Sequence, residues 1–181
     1  MAELELKGLE AFAQTLDNLN KDSRKNLSRA INYGLRRTRT QASKRIREQI
    51  ALKAASVNKK LTVGTATPGS LTGHLKTQNR GQPLSSFGAR QLYRTSKKSG
   101  KKVRAGVSVK VKPGASPRKM RSAFFVGPMI AVRTGQGRSA YEVLYGPSVS
   151  QVFDNSREEY GQFAEEQMLT EFDRLMIAGL K

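Results

Sequence analysis

Apolar side chains return every three or four residues near the amino end, where Leu9, Phe12, Leu16 and Leu19 share a face and predict a short amphipathic helix over 8–19. Asn20 and Asp22 punctuate that pattern. A longer helix is predicted over 23–50, with Leu27, Ile31, Leu35, Thr38, Ala42, Ile46 and Ile50 in one stripe and Lys25, Arg29, Arg36, Arg37, Lys44 and Arg47 on the opposite face. Arg24, Arg39 and Arg45 fall close to the stripe, where a plain surface helix avoids charge. Two readings account for them: the stems cover apolar surface while the heads stay wet, or the heads meet a partner.

After this helix the period changes. Ser56 is expected to cap a short basic turn, VNKKL, and Gly64, Pro68 and Gly69 mark the passage to β structure. LTGHLKT and ARQLYR read as strands, the second leading into a hairpin tip that carries Lys97, Lys98, Lys101 and Lys102. Over 103–111 the valines and Ala105 alternate strictly with Arg104, Gly106, Ser108 and Lys110, which predicts a half-buried strand with a basic outer face. KPGASPRKMR, with Arg118, Lys119 and Arg121, reads as a second basic loop; both loops hold enough Gly, Ser and Pro to stay mobile until a partner orders them.

Two more strands are predicted in AFFVG, continuing through Pro128 into MIAVRT, and in AYEVLYG, with the turn TGQGR between them. Gly146, Pro147 and Ser148 form a structural turn, since proline restricts φ and a following serine suits a helix cap. The terminal helix has Phe163, Ala164, Met168, Phe172 and Leu175 on one face and Glu159, Glu166 and Asp173 on the other, with Glu158 and Glu165 at the edge and Glu171 inside the stripe. The predicted fold class is α+β: N-terminal helices, a central antiparallel β-sheet with long basic loops, and a C-terminal amphipathic helix packed on the sheet. At 181 residues it is expected to be a single domain, with a helical part over 1–51, a basic β region over 52–147 and the C-terminal helix over 148–181.

Charge changes this picture more than composition does. There are 33 lysines and arginines against 14 acids, a net +19, and no acid occurs between Glu48 and Glu142. Both ends are acidic, through Glu3, Glu5, Glu10 and Asp17 and again from Asp154 to Asp173. A solvated surface of that length mixes its signs to limit self-repulsion, so an anionic partner is expected: DNA or acidic protein. The opening residues lack the pattern of a signal peptide, and no apolar run approaches the roughly 20 residues that span a bilayer, so no membrane association is expected.

Candidate chemistry is sparse. The chain has no cysteine, which removes disulfides, zinc–thiolate sites and thiol nucleophiles. His74 is the only histidine and has neither a second histidine nor a carboxylate near it in sequence, so it reads as a side chain satisfied by a neighbour. The single G-x-G of TGQGR lacks the strand-to-helix context of a phosphate loop. Paired carboxylates would have to come from the exposed acidic ends. The expectation is no enzyme, no metal, no cofactor and no small-molecule substrate.

The order of features then becomes specific: KGLEAFAQTLDNL, the basic helix ending in NYGLRRTRTQASKRIREQI, a basic β region, SAFFVG, VLYGPSVSQVF and an amphipathic terminal helix. It resembles the minor tail protein Z family of tailed phages, related in outline to tail completion and neck proteins. The resemblance implies a virion protein assembled in the host cytoplasm as a homo-oligomeric ring, expected as a hexamer, at the head-proximal end of the tail, where it contacts other tail and neck proteins and helps to join head to tail. The basic surface, formed by Arg29, Arg36, Arg37, Lys44, Arg47, the four tip lysines, Arg118, Lys119 and Arg121, would face acidic neighbours or viral DNA. The rival reading is a free nucleic-acid-binding module without sequence specificity; against it, Phe87 and Tyr93 are the only aromatics over 52–121, few for stacking bases.

Overall fold

The computed structural model describes residues 2–5 and 21–179, so the helix expected over 8–19 lies outside the described residues. The chain divides into two compact units. The first comprises Met1–Ile46, Val57–Asn79 and Val149–Lys181, and the second Arg47–Ser56 and Arg80–Ser148. Helices and antiparallel strands are both present, which makes the chain α+β.

Helix α1 (Lys21–Gln49), which belongs to the first unit as far as Ile46, follows the apolar stripe closely. Leu27, Ile31, Leu35, Thr38, Ala42 and Ile46 are all buried, as is Ile50 just past its end, each large aliphatic contributing roughly 1.5–3 kcal/mol. Thr38, the one polar member, donates its hydroxyl to the Gly34 carbonyl at 2.9 Å and so costs little to bury. The three arginines beside the stripe each reach an intramolecular partner. Arg24 Nε donates to Pro68 O at 3.1 Å, Arg39 Nη2 to Asn58 O at 2.9 Å, and Arg45 pairs with Glu159 at 3.5 Å.

Helix α2 (Ala54–Lys60) corrects one expectation: Ser56 lies inside it rather than capping it, with its own N–H bonded to Lys53 O. Strands β1 (Ala2–Glu5), β2 (Leu61–Gly64) and β3 (His74–Thr77) form an antiparallel sheet with β3 central. Gly64 and His74 are register partners, and the imidazole lies where a side chain at 64 would stand. Asn32 ties the sheet's trailing loop to α1, exchanging two hydrogen bonds of 2.8 and 2.9 Å with the Ala66 backbone.

The terminal helix is two helices, α3 (Val149–Asp154) and α4 (Arg157–Gly179), where a continuous one was expected. Asp154, Asn155 and Ser156 are poor helix-interior residues because their short polar groups compete for backbone hydrogen bonds. The break turns Phe153 onto Tyr160, their ring centroids 5.0 Å apart. Ala164 and Met168 are buried, while Phe163, Phe172 and Leu175 are half-buried. Helix α4 packs on β1 and crosses α1 at Gly34, where a Cβ would lie 2.7 Å from Ala164 O.

The second unit holds strands β4 (Gln82–Pro83), β5 (Arg90–Thr95), β6 (Lys102–Val109), β7 (Arg118–Met120), β8 (Ala123–Val126), β9 (Met129–Arg133), β10 (Tyr141–Val143) and β11 (Tyr145–Gly146). They form three antiparallel sheets, ordered β5-β6-β7, β10-β9-β8 and β11-β4. Leu84, Phe87, Val107, Val109, Ala123, Ile130 and Ala131 supply the core. The expected strand in AYEVLYG is interrupted at Leu144, whose N–H bonds Ile130 O and whose carbonyl accepts from Leu84 N, so the two halves serve different sheets. KPGASPRKMR is also not wholly a loop. Its end is β7, paired with β6 through Val109↔Arg118, Ser108↔Lys119 and Val107↔Met120.

Candidate polyanion-binding surface

Lysines and arginines gather in the second unit, and the β5–β6 hairpin carries many of them. Its turn is closed by Ser96 N to Lys101 O and by Gly100 N to Ser96 O, both 2.9 Å, with Gly100 at φ +65°. Lys97, Lys98, Lys101 and Lys102 are exposed at this end. Arg118 and Lys119 are exposed on β7, and exposed Arg121 follows it directly; the two basic segments belong to one sheet, with Arg118 and Lys119 paired to the end of β6 remote from the lysine tip. The helix-face candidates are exposed too, but Arg29, Arg36, Arg37 and Lys44 belong to the first unit and Arg47 to the second. Arg37 stacks over Tyr33 at 5.9 Å.

Strand β6 departs from the expected alternation. Gln91 faces Val107 and Tyr93 faces Arg104, so Ala105 and Gly106 together oppose Leu92: a β-bulge. Side chains that sit opposite each other across an antiparallel pair share a face, so the bulge brings Arg104 to the face of Val107 and sends Val103 to the other. Val107 is fully buried and Val103 is 36% exposed accordingly. The bulge sits at Gly106, whose φ of +99° disfavours any side chain. A Cβ there would also collide with Met120 O and lie 2.7 Å from Arg121 Cα.

This geometry assembles a group that the basic loops in sequence do not identify. Arg94 of β5, Arg104 of β6, Ala105 and Arg121 beyond β7 are among the residues lining one pocket of about 400 Å³, with Arg94, opposite Val103, on the other sheet face from Arg104. Arg121 belongs to the expected surface; Arg94 and Arg104 do not. The signal for them was present only as single arginines in two strand patterns, and joining them required the register.

The second unit contains seventeen lysines and arginines but only two acids, Glu48 and Glu142, so it holds most of the net charge of +19. Exposed acids instead collect on α4, at Glu158, Glu159, Glu165, Glu166 and Asp173. Glu171, half-buried, binds Arg174 in a fork of 2.7 and 2.8 Å; that hydrogen bonding lowers the Glu171 pKa and raises the Arg174 pKa.

The expected structural turn is divided. Gly146 pairs with Gln82 in the β11-β4 ladder, and the Phe87 ring fills the place of its absent side chain, 2.6 Å from an ideal Cβ. Pro147 and buried Ser148 then lead into α3. The TGQGR turn closes on Arg133, whose Nη1 donates to Gly137 O and Arg138 O. Among the described residues no group of three or more His, Cys, Asp or Glu is placed to hold a metal ion, and no helix is long and apolar enough to cross a membrane.

The family model of prophage minor tail protein Z (GPZ) matches residues 6–181. No curated protein and no solved structure matches the chain.

Proposed function

The chain belongs to the prophage minor tail protein Z family, a family of bacteriophage tail proteins, and from that premise we propose that it forms a homo-oligomeric ring, a hexamer, at the head-proximal end of the tail. There it completes the tube and joins head to tail through contacts with other tail and neck proteins, in a structural role without catalysis. The basic surface of the second unit faces the DNA end or acidic neighbours.

The observation that carries this reading is the segregation of charge. One chain presents an acidic helix face on α4 and a second unit almost without acids. Unlike surfaces on one protomer favour heterologous contact between copies, and such contacts generate a ring when their rotation closes. Electrostatic complementarity of this kind fixes orientation and speeds encounter more than it adds affinity.

Native mass measurement of the purified protein, alone and with its tail partners, tests the reading. The expected result is a closed oligomer of six copies that enters tails. A strictly monomeric species that never joins tails overturns it.

A further inference from the structure

Residues directly opposed across an antiparallel pair share a face, as do alternate residues along a strand, so the register of the β10-β9-β8 sheet places Phe124, Val126, Met129, Arg133, Tyr141 and Val143 on one side. Met129, Arg133 and Tyr141 are exposed there, and Phe124, Val126 and Val143 are half-buried. Three of these side chains form a cluster. Tyr141 meets Phe124 edge-on with ring centroids 6.3 Å apart, and the Arg133 guanidinium lies over the Phe124 ring, 5.1 Å from its centroid. Hydrogen bonds to Gly137 O and Arg138 O hold Arg133 in that position. Aromatic residues, methionine and arginine are the side chains enriched where proteins meet, with tyrosine and arginine prominent among the anchors that carry binding energy.

We propose that this sheet face receives the outward face of α4 from a second copy of the chain; this rests on the reading of the protein as a ring and names the contact between its protomers. Helix α4 buries Tyr160, Ala164 and Met168 on one side. At about 100° per residue, Glu166, Leu169, Asp173 and Ile177 fall together on the opposite side. All four are exposed, with Leu169 at 50% and Ile177 at 62%. A surface helix with two large aliphatics between carboxylates matches an aromatic sheet face that carries an arginine. Leu169 and Ile177 would cover Phe124, Met129 and Tyr141, while Glu166 and Asp173 would meet Arg133, which has no ion-pair partner among the described residues.

The dimensions agree. Eight residues of helix separate Leu169 from Ile177, about 12 Å at 1.5 Å per residue, and the outer strands of a three-stranded sheet lie roughly 10 Å apart. Nucleic acid does not suit either surface, because the α4 carboxylates repel phosphate and the sheet face is mainly apolar. The two surfaces differ, so each protomer that joins leaves one of each kind open, and the contact repeats until the ring closes.

The chain has no cysteine, so introduced ones report chosen sites. Full-length protein carrying both Met129→Cys and Leu169→Cys, treated with a short bismaleimide, should give a ladder of cross-linked oligomers on a denaturing gel. Either substitution alone should give none. In native mass measurement, Leu169→Glu with Ile177→Glu should abolish assembly, as should Met129→Glu with Tyr141→Glu. An equimolar mixture of these two variants should form a dimer and nothing larger, since each keeps one face intact. The four substituted side chains are exposed, and an unchanged melting temperature verifies that each variant folds.

The assignment is overturned by glutamate variants that assemble as wild type does, or by variants that are monomeric apart and remain so when mixed. It is equally overturned if the double-cysteine protein gives no cross-link, or only cross-links within one chain. A wild type that is itself monomeric sinks the ring; a wild type that closes together with its glutamate variants sinks this contact alone.

Discussion

Gly34 and Gly69 show how one residue type carries different weight. Gly34 sits mid-helix, where glycine is ordinarily less stable than alanine by roughly 0.5–1 kcal/mol, yet its bare Cα lets α4 approach so closely that a methyl would press on the Ala164 carbonyl. Backbone cannot swing aside as a side-chain end can. Gly34→Ala should therefore destabilise the protein by about 1–3 kcal/mol in urea unfolding, with the overpacking outweighing the gain in helix propensity. Gly69→Ala meets nothing within 4 Å and should stay within about 0.5 kcal/mol of wild type. Equal losses at the two sites would refute the close-packing account. The arginines beside the α1 stripe belong to the same scale: periodicity placed Arg24, Arg39 and Arg45 correctly, but the carbonyls and carboxylate that receive them belong to Pro68, Asn58 and Glu159, far along the chain.

Among the elements, α1 was legible because a long amphipathic stripe repeats its signal over many turns, and all seven members of the stripe are buried. Strand β6 was legible as a strand but not as a surface. One extra residue at Gly106 reverses the faces of everything before it, and no alternation in a single strand reveals what the opposite strand does. Helix α4 was recognised with its faces, though not its start, since the Asp-Asn-Ser break is a local competition that the apolar period does not register. The Glu171–Arg174 pair gives α4 a pH dependence. The Glu171 pKa is lowered in the folded state, so its stabilisation is complete above the carboxylate's unfolded value and disappears as pH falls through the folded one. Melting temperatures of wild type and Glu171→Gln should differ at neutral pH and converge in acid; a gap that persists at low pH would rule out the ionised pair as its source.

The whole molecule is governed by its charge. A net +19 opposes compaction by self-repulsion, and most of that charge resides in one unit with only Glu48 and Glu142 to offset it. Salt shortens the range of that repulsion, to about 10 Å at 0.1 M. Raising sodium chloride should therefore raise the melting temperature of the purified protein, as read by calorimetry. A flat or falling trend would mean that the attractive pairs, such as Arg45–Glu159, outweigh the repulsion. In the assembled virion an anionic partner should have the same stabilising effect, since ligand binding to the folded state favours it by mass action.

The sequence by itself determined the α+β class, the long helix and its buried stripe, the basic middle between Glu48 and Glu142, and the resemblance to a tail-protein family that the match over 6–181 then established. Each of these depends on local period, composition or linear order, which a chain carries without folding. The tertiary structure decided which basic residues share a sheet, a pocket lining or a unit. It joined Arg94, Arg104 and Arg121 from three neighbouring segments, placed Lys102 and Arg118 in one sheet, and left Arg29, Arg36, Arg37 and Lys44 in the other unit. Strand register and the Gly106 bulge are products of pairing between distant segments, so the identity of the pocket exists only once those segments meet.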